Sequence, residues 1–336
     1  MKTFYLEKSL GIDIREESVC LTLLGKNLYR ADVIAVKYIP IHLVDIKNEK
    51  TESNFLEQVN RFIVENDAWV ENVVASLPRS KVTLQSFELP APDRKSVDSM
   101  MKFELERHFS SDIESFYFSN HITDRGTNQY HIVCAAIRKN IADHYLKLLE
   151  KLNLKTTILD VSTFANLNLI WPNEEYNESL SVVVDLSLSF IEISILNNKI
   201  LEFSRNIPID NQEYREAFFN SEIQQKAIED SSEKITQTIV EEIQNALASC
   251  RNIDDSVSVE AIHILGGGNF ATHLTSKLEA TTEVPTHRVE LPEFLNSPVP
   301  DNYSTAYMAT SLGLALRELK QNLVEVSLLP ESSKIT

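Results

Sequence analysis

Alternation of apolar and polar residues predicts a strand through Gly11–Ile14, a turn, and a second strand at Val19-Cys20-Leu21-Thr22-Leu23-Leu24. Gly25-Lys26-Asn27 reads as the next turn and Tyr29–Tyr38 as a third strand. Phe55, Leu56, Val59, Phe62 and Ile63 then recur at helical spacing, and Asn72–Leu77 begins another strand. Three strands, a helix and a strand predict a mixed sheet covered by helices.

Past Pro78 the pattern is that of a smaller unit. Val82, Leu84 and Ser86 share one side of an extended run that ends at Pro90-Ala91-Pro92. Val97, Met101, Leu105 and the nearby Phe109 follow helical spacing, so Ser96–His108 is read as a helix. Tyr130–Ala136 is strand-like, and Asn140 is the expected N-cap of a helix presenting Ile141, Tyr145, Leu148, Leu149 and Leu152. This unit is expected to run strand, helix, strand, helix. The opening pattern then starts again. Leu180–Leu186 and Phe190–Leu196 are strand candidates, and Asn197-Asn198 is the expected hairpin turn before Lys199–Phe203. Ile235, Ile239, Ile243 and Leu247 form a helical stripe, Val257–Leu265 a strand, and Phe270–Leu278 and Tyr303–Leu319 two closing helices.

Composition narrows the class. A chain of 336 residues, 43% hydrophobic and 24% charged, fits a globular protein of two major domains. Its 49 acidic against 32 basic residues give a net charge of -17, which disfavours nonspecific attachment to DNA or anionic lipid. No nucleic-acid partner is expected, and membrane attachment is expected to run through a protein. No apolar segment approaches a membrane span and no signal-peptide run opens the chain, so a cytoplasmic location is expected. Cys20, Cys134 and Cys250 are far apart and read as buried thiols, and no His/Cys/Glu spacing fits zinc. Ser76-Leu77-Pro78 lacks a His/Asp arrangement and reads as a turn, and His263 reads as a packed strand histidine.

The remaining chemistry lies in three turns. Gly11-Ile12-Asp13-Ile14-Arg15-Glu16-Glu17-Ser18 and Val184-Asp185-Leu186-Ser187-Leu188-Ser189 each place an Asp at a strand end before a turn. Such a carboxylate can hold a metal ion or its water, and the turn can aim N–H groups at phosphate. Gly266-Gly267-Gly268 leaves the apolar run Ile262–Leu265 and permits close backbone approach to an anion, or a plain helix-entry turn.

The order of these segments resembles the actin-like ATPase fold, and more closely the PilM family of type IV pilus assembly. The carrying features are Gly11-Ile12-Asp13, Leu77-Pro78, Val182-Val183-Val184-Asp185, Phe203-Ser204-Arg205-Asn206-Ile207, Leu265-Gly266-Gly267-Gly268 and Ser311-Leu312-Gly313-Leu314-Ala315-Leu316-Arg317. The resemblance implies an α/β architecture of two major domains with an inserted small α/β domain of the kind found in PilM and FtsA. Residues 1–77 and 156–179 are then the first major domain, 78–155 the insert, 180–320 the second major domain, and 321–336 a docking segment or linker. GspL, of type II secretion, is the competing assignment.

By the same resemblance, Asp13 through Ser18 match the first phosphate segment and Asp185 through Ser189 the second. Gly266, Gly267 and Gly268 match the adenosine-side turn, and Gly313 falls in the late segment that closes the cleft. The implied cofactors are ATP and magnesium, with Asp13 and Asp185 flanking the metal. The chain departs from the family where Arg15 and Ser187 stand in glycine positions. Arg15 either donates to a phosphate, or fills the site or pairs with Glu16 or Glu17. Ser187 and Ser189 either donate to phosphate or satisfy a turn. Hydrolysis is expected to be inefficient. Finally, Val326-Ser327-Leu328-Leu329-Pro330 in the run Leu323–Glu331 looks like the short docking motif at the start of PilN. Val326, Leu328, Leu329 and Pro330 are its expected anchors, in cis or exchanged between copies in a homo-oligomer. The implied role is an adaptor or scaffold, peripheral to the inner membrane, joining the pilus alignment proteins to the assembly motor. The alternative is an ATP-binding switch or filament-forming scaffold.

Overall fold

The computed structural model describes residues 5–27, 31–41, 48–108, 113–170, 179–209, 212–219, 225–250, 253, 257–292, 295–296, 300, 304–317, 319 and 326–330. The expected contributions of Tyr29, Phe109, Tyr303 and the run Leu323–Glu325 with Glu331 lie outside the described residues.

Strands β1 (Glu7–Ile14), β2 (Ser18–Lys26) and β3 (Ala31–Pro40) precede helix α1 (Glu49–Asn66) and strand β4 (Asn72–Ser76). Ser9 to Ile14 are all buried, because helices cover both faces of the sheet. Leu10, Ile12 and Ile14 therefore share one face while Gly11 and Asp13 share the other. Helix α1 starts at Asn48, whose side chain accepts from the Lys50 N–H, and buries Phe55, Val59, Phe62 and Ile63.

Next come β5 (Val82–Pro90), α2 (Arg94–His108), β6 (Phe116–Gly126), β7 (Gln129–Arg138) and α3 (Lys139–Lys151). The expected strand–helix–strand–helix order thus gains a strand. Phe116, Phe118 and Ile122 alternate against the core of this unit, and the polar residues between them hide β6 in a search for apolar runs. Asn140 is not a cap: β7 runs directly into α3, the cap position is Arg138, and it makes no side-chain cap bond.

The chain continues through β8 (Ile158–Asp160), α4 (Ser162–Ile170), β9 (Leu180–Leu186), β10 (Phe190–Asn197), β11 (Ile200–Pro208), α5 (Gln212–Phe219) and α6 (Gln225–Ser249). The β10–β11 turn is made by Asn198 and Lys199, at φ 49° and 64°, one residue later than expected. After these come β12 (Ala261–Gly266), α7 (Ala271–Thr282), β13 (Thr286–Arg288), β14 (Leu295–Asn296) and α8 (Thr305–Leu316). The described residues form three sheets, ordered β14-β3-β2-β1-β4-β8, β11-β10-β9-β12-β13 and β5-β7-β6. Among the described residues no helix is long and apolar enough to cross a membrane.

Helix α8 fixes the first sheet. A Cβ on Gly11 would overlap the Ser311 carbonyl oxygen, and one on Gly313 would overlap that of Ala165. Strand and helices thus meet backbone to backbone. Gly313→Ala is expected to cost at least about 1–3 kcal/mol by forcing α4 and α8 apart, measured as a lower urea midpoint at unchanged slope. An unchanged midpoint would contradict this packing.

Candidate functional site

The ends of β1 and β9 bring Asp13 and Asp185 to the same place from different sheets. Arg15, in the turn after β1, lies between them. Its Nε is 2.6 Å from Asp13 Oδ2, and its Nη2 is 2.8 Å from Asp185 Oδ2. The same Nη2 donates to the Thr310 hydroxyl on α8. Thr310 Oγ1 donates to Asn166 Oδ1 at 2.7 Å, and Asn166 Nδ2 donates to Asp185 Oδ2 at 3.0 Å. The loop of donors closes on itself. Ser76, beside Asp13 on β4, donates to Asp13 Oδ1 at 2.8 Å.

These groups are nearly dry: the Arg15, Asp13 and Asp185 side chains are 17%, 2% and 7% exposed. Burial disfavours the Arg15 charge, but Asp13 and Asp185 more than offset it and hold the guanidinium protonated well above its ordinary value. Burial pushes the Asp185 carboxyl upward, with Arg15 opposing. Arg15 does not pair with Glu16 or Glu17; Glu17 instead meets Arg215 at 3.0 Å.

The other expected site residues divide into two groups. Ser18, Asp185, Ser187 and Gly266 line one cavity beside Arg15, and Asp13, Asp185 and Ser187 line a second. Each cavity holds about 20 Å³, room for a water, whereas small-molecule sites measure roughly 300–1,000 Å³. Magnesium with a nucleotide does not fit beside Arg15 in this conformation, since the oxygens expected to face the metal already face the guanidinium. Ser187 closes its own turn, bonding to the Phe190 carbonyl through N–H and hydroxyl at 2.9 and 3.0 Å. Ser189 accepts the Ile209 N–H through its carbonyl at 2.7 Å. Gly266, Gly267 and Gly268 have φ of 72°, 76° and 54°, and the Gly267 N–H is spent on the Leu186 carbonyl at 3.0 Å. Gly313 lines neither cavity; it lies at the α4–α8 crossing.

Sequence reasoning missed a second clasp. Arg79, just after Pro78, places Nε 2.7 Å from Glu192 Oε1 on β10 and donates from Nη2 to Ser204 on β11 at 3.2 Å. Burial opposes the Glu192 charge, but Arg79 and the Thr163 and Ser204 hydroxyls outweigh it and hold its carboxyl below the ordinary range. An Asn in the apolar stretch Phe164–Ile170 and a Glu inside an apolar strand were the available signals. Of the three free thiols, Cys20 and Cys134 are buried as expected, but Cys250 is only partly so.

The tail segment 326–330 lies against β8, the edge of the first sheet. The Leu328 N–H donates to the Leu159 carbonyl at 2.8 Å, and the Ser327 N–H donates to Ser119 Oγ on β6 at 3.0 Å. Arg317, paired with buried Asp160, donates from Nη2 to the Val326 carbonyl at 2.7 Å. Val326, Leu328 and Leu329 are buried in the core of the first sheet, and Pro330 is half-buried.

The sequence matches the family described as type IV pilus assembly protein PilM over residues 11–319. No curated protein matches. Among solved structures, a chain of a PilM–PilN type IV pilus biogenesis complex aligns at a TM-score of 0.75 and 20% identity, covering 93% of this chain and 99% of that one. The cytoplasmic domain of EpsL, an inner-membrane component of the type II secretion system of Vibrio cholerae, aligns at 0.51 and 12% identity, covering 98% and 100%. The ethanolamine utilization protein EutJ of Carboxydothermus hydrogenoformans aligns at 0.54 and 11% identity, covering 94% and 91%. The fold is that of the actin-like ATPases, as the sequence led us to expect.

Removing the guanidinium leaves two buried carboxylates uncompensated. Arg15→Ala is expected to cost about 3–5 kcal/mol in urea unfolding, and Arg15→Lys to recover only part of it because an ammonium cannot fork between both. Full recovery by lysine would contradict the two-sided contact.

Proposed function

The chain belongs to the type IV pilus assembly protein PilM family, and we propose that it serves there as a cytoplasmic adaptor or scaffold closed by its own side chains rather than by a nucleotide. The observation that carries this reading is Arg15, whose guanidinium stands between Asp13 and Asp185, where the family pattern calls for a metal and phosphates. A resident cation of fixed geometry holds the two sheets together without turnover. The nucleotide-gated alternative requires Arg15 to leave both carboxylates. Pilus assembly is favoured over type II secretion by the family match and by the better superposition on the PilM chain than on EpsL.

In this proposal the division into two major domains and an insert follows the three sheets, and the first sheet and the insert share a groove for a partner segment. The similar PilM chain was solved with PilN. Here Val326–Pro330 fills the groove, with one backbone bond from the Leu328 N–H to the Leu159 carbonyl at the β8 edge while Val326, Leu328 and Leu329 supply apolar anchors. The tail thereby acts as a PilN-like segment docked in cis, and membrane partners reach this surface by displacing it. Attachment to the inner membrane runs through those partners and places the protein between them and the assembly motor.

Replacing Leu328 and Leu329 together by Asp is expected to release the tail with the far-UV circular dichroism retained. A labelled peptide covering residues 322–332 is then expected to bind the variant at least about tenfold more tightly than the parent chain, since a covalently linked segment competes at high effective concentration. Equal binding to both chains, or binding to neither, would refute cis docking. Transfer of peptide binding into a concentration-dependent dimer would place the docking in trans.

A further inference from the structure

One face of the three-stranded sheet carries Leu89, Ile132 and Cys134 towards α2, and the other carries Val133, Ala135 and Ile137 into the core of the first sheet. Period-two alternation puts Glu88, Thr123 and His131 together on the other face, in direct cross-strand register. Around these three residues that face is covered by β11 of the second sheet. Ser86 Oγ bonds to the Glu202 carbonyl, and Arg125 reaches the Glu202 carboxylate. His131 is buried at this junction, with Nε2 2.8 Å from the Leu201 carbonyl oxygen. A carbonyl oxygen only accepts, so Nε2 carries the hydrogen. Nδ1 therefore turns towards two carboxylates, 2.8 Å from Glu88 Oε1 and 3.8 Å from Glu202 Oε2. Arg125 Nε also lies 3.8 Å from Glu88 Oε1 and its Nη2 pairs with Glu202, so the guanidinium offsets part of the carboxylate charge. A nitrogen lone pair facing the two oxygens calls for a proton or a metal ion between them.

We propose that His131 Nδ1, Glu88 and Glu202 form a binding site for a divalent ion of the zinc class at the junction of the second and third sheets. The three ligand atoms lie within 4.8 Å of one another. Tetrahedral zinc with bonds of about 2.0–2.2 Å sets ligand atoms roughly 3.3 Å apart, within the range spanned by the two nitrogen–oxygen distances here. The Nε2–H bond to Leu201 is the outer contact that orients a metal-ligating histidine, and Arg125 on the other oxygen of Glu202 orients that carboxylate. One imidazole with two carboxylates selects zinc over magnesium, which prefers an all-oxygen set with several waters. A cavity of about 380 Å³ lined by Ser86, Val133, Glu202 and Ser204 reaches the cluster at Glu202, the one proposed ligand that lines it. Because Glu202 comes from β11 and the other two ligands from the small sheet, the ion would fix how that sheet sits on the second one.

Isothermal titration of the full chain with ZnCl2 at pH 7.5, after chelator treatment, tests this. One Zn2+ per chain is expected, with Glu88→Gln and His131→Ala each weakening binding by at least about tenfold, and with MgCl2 failing to compete. Glu88 is partly exposed, so Glu88→Gln is expected to keep the parent far-UV circular dichroism even if His131→Ala does not fold. Zinc is also expected to raise the Tm of the parent chain but not of Glu88→Gln. No zinc heat, or zinc binding unchanged in the variants that fold, would overturn the assignment.

Discussion

The structure depends on one guanidinium held between two buried carboxylates. Asp13 and Asp185 close the inner ends of strands from separate sheets, and their charges would drive those ends apart without a cation between them. Arg15 supplies that cation from the turn that follows β1, with Thr310 and Asn166 completing the ring of donors. Its planar fork reaches both carboxylates at once, which a lysine ammonium does not do. A magnesium ion would meet the same electrostatic need, but it would bring its own waters and a ligand to share them. The side chain brings neither, so closure becomes a property of the fold itself.

The same device recurs at three other places where separate parts of the chain meet. Arg79 with Glu192 joins the segment after β4 to the second sheet, Arg125 with Glu202 joins the third sheet to the second, and Arg317 with Asp160 seats the tail on β8. In each pair at least one member is nearly inaccessible. Ser204 adds a donor to Glu192 and Arg317 also donates to the Val326 carbonyl. Arg125 Nε, 3.8 Å from Glu88 Oε1, is left without a hydrogen bond among the described residues. Buried ion pairs of this kind add little net stability over apolar packing, yet breaking one is costly. They therefore specify relative placement more than they add stability. That suits the scaffold role proposed above, and the tail groove and the cluster around His131 both lie at such seams.

What the sequence made legible follows from the range of the interactions involved. Strand and helix positions rest on local periodicity, and Gly11–Ile14, Phe55–Ile63 and Leu180–Leu186 fall where their patterns place them. Strand β6 escaped because its polar positions alternate with only a few apolar ones, so no continuous run marked it. Asp13 and Asp185 were recognisable as partners only through resemblance, being far apart in the chain. The direction of Arg15 was undecidable from sequence, since Glu16 and Glu17 stood nearer along the chain than Asp185. Asn166, Thr310, Arg79 and Glu192 acquire their roles from tertiary contacts that no local pattern encodes, although a polar residue in an apolar helix or strand is the trace they leave. Gly313 carried a family signal whose physical cause is steric: two helix backbones touch there.

The central claim is that the first and second sheets are held closed without nucleotide. Glu65 and Glu279 are exposed positions on α1 and α7, and spin labels at Glu65→Cys and Glu279→Cys, with Cys250→Ser, report the separation of the two sheets. Pulsed dipolar spectroscopy is expected to give one narrow distance that magnesium and ATP leave unchanged, and that broadens when Arg15→Ala is added. A broad distribution in the parent chain that narrows on adding magnesium and ATP would contradict the account.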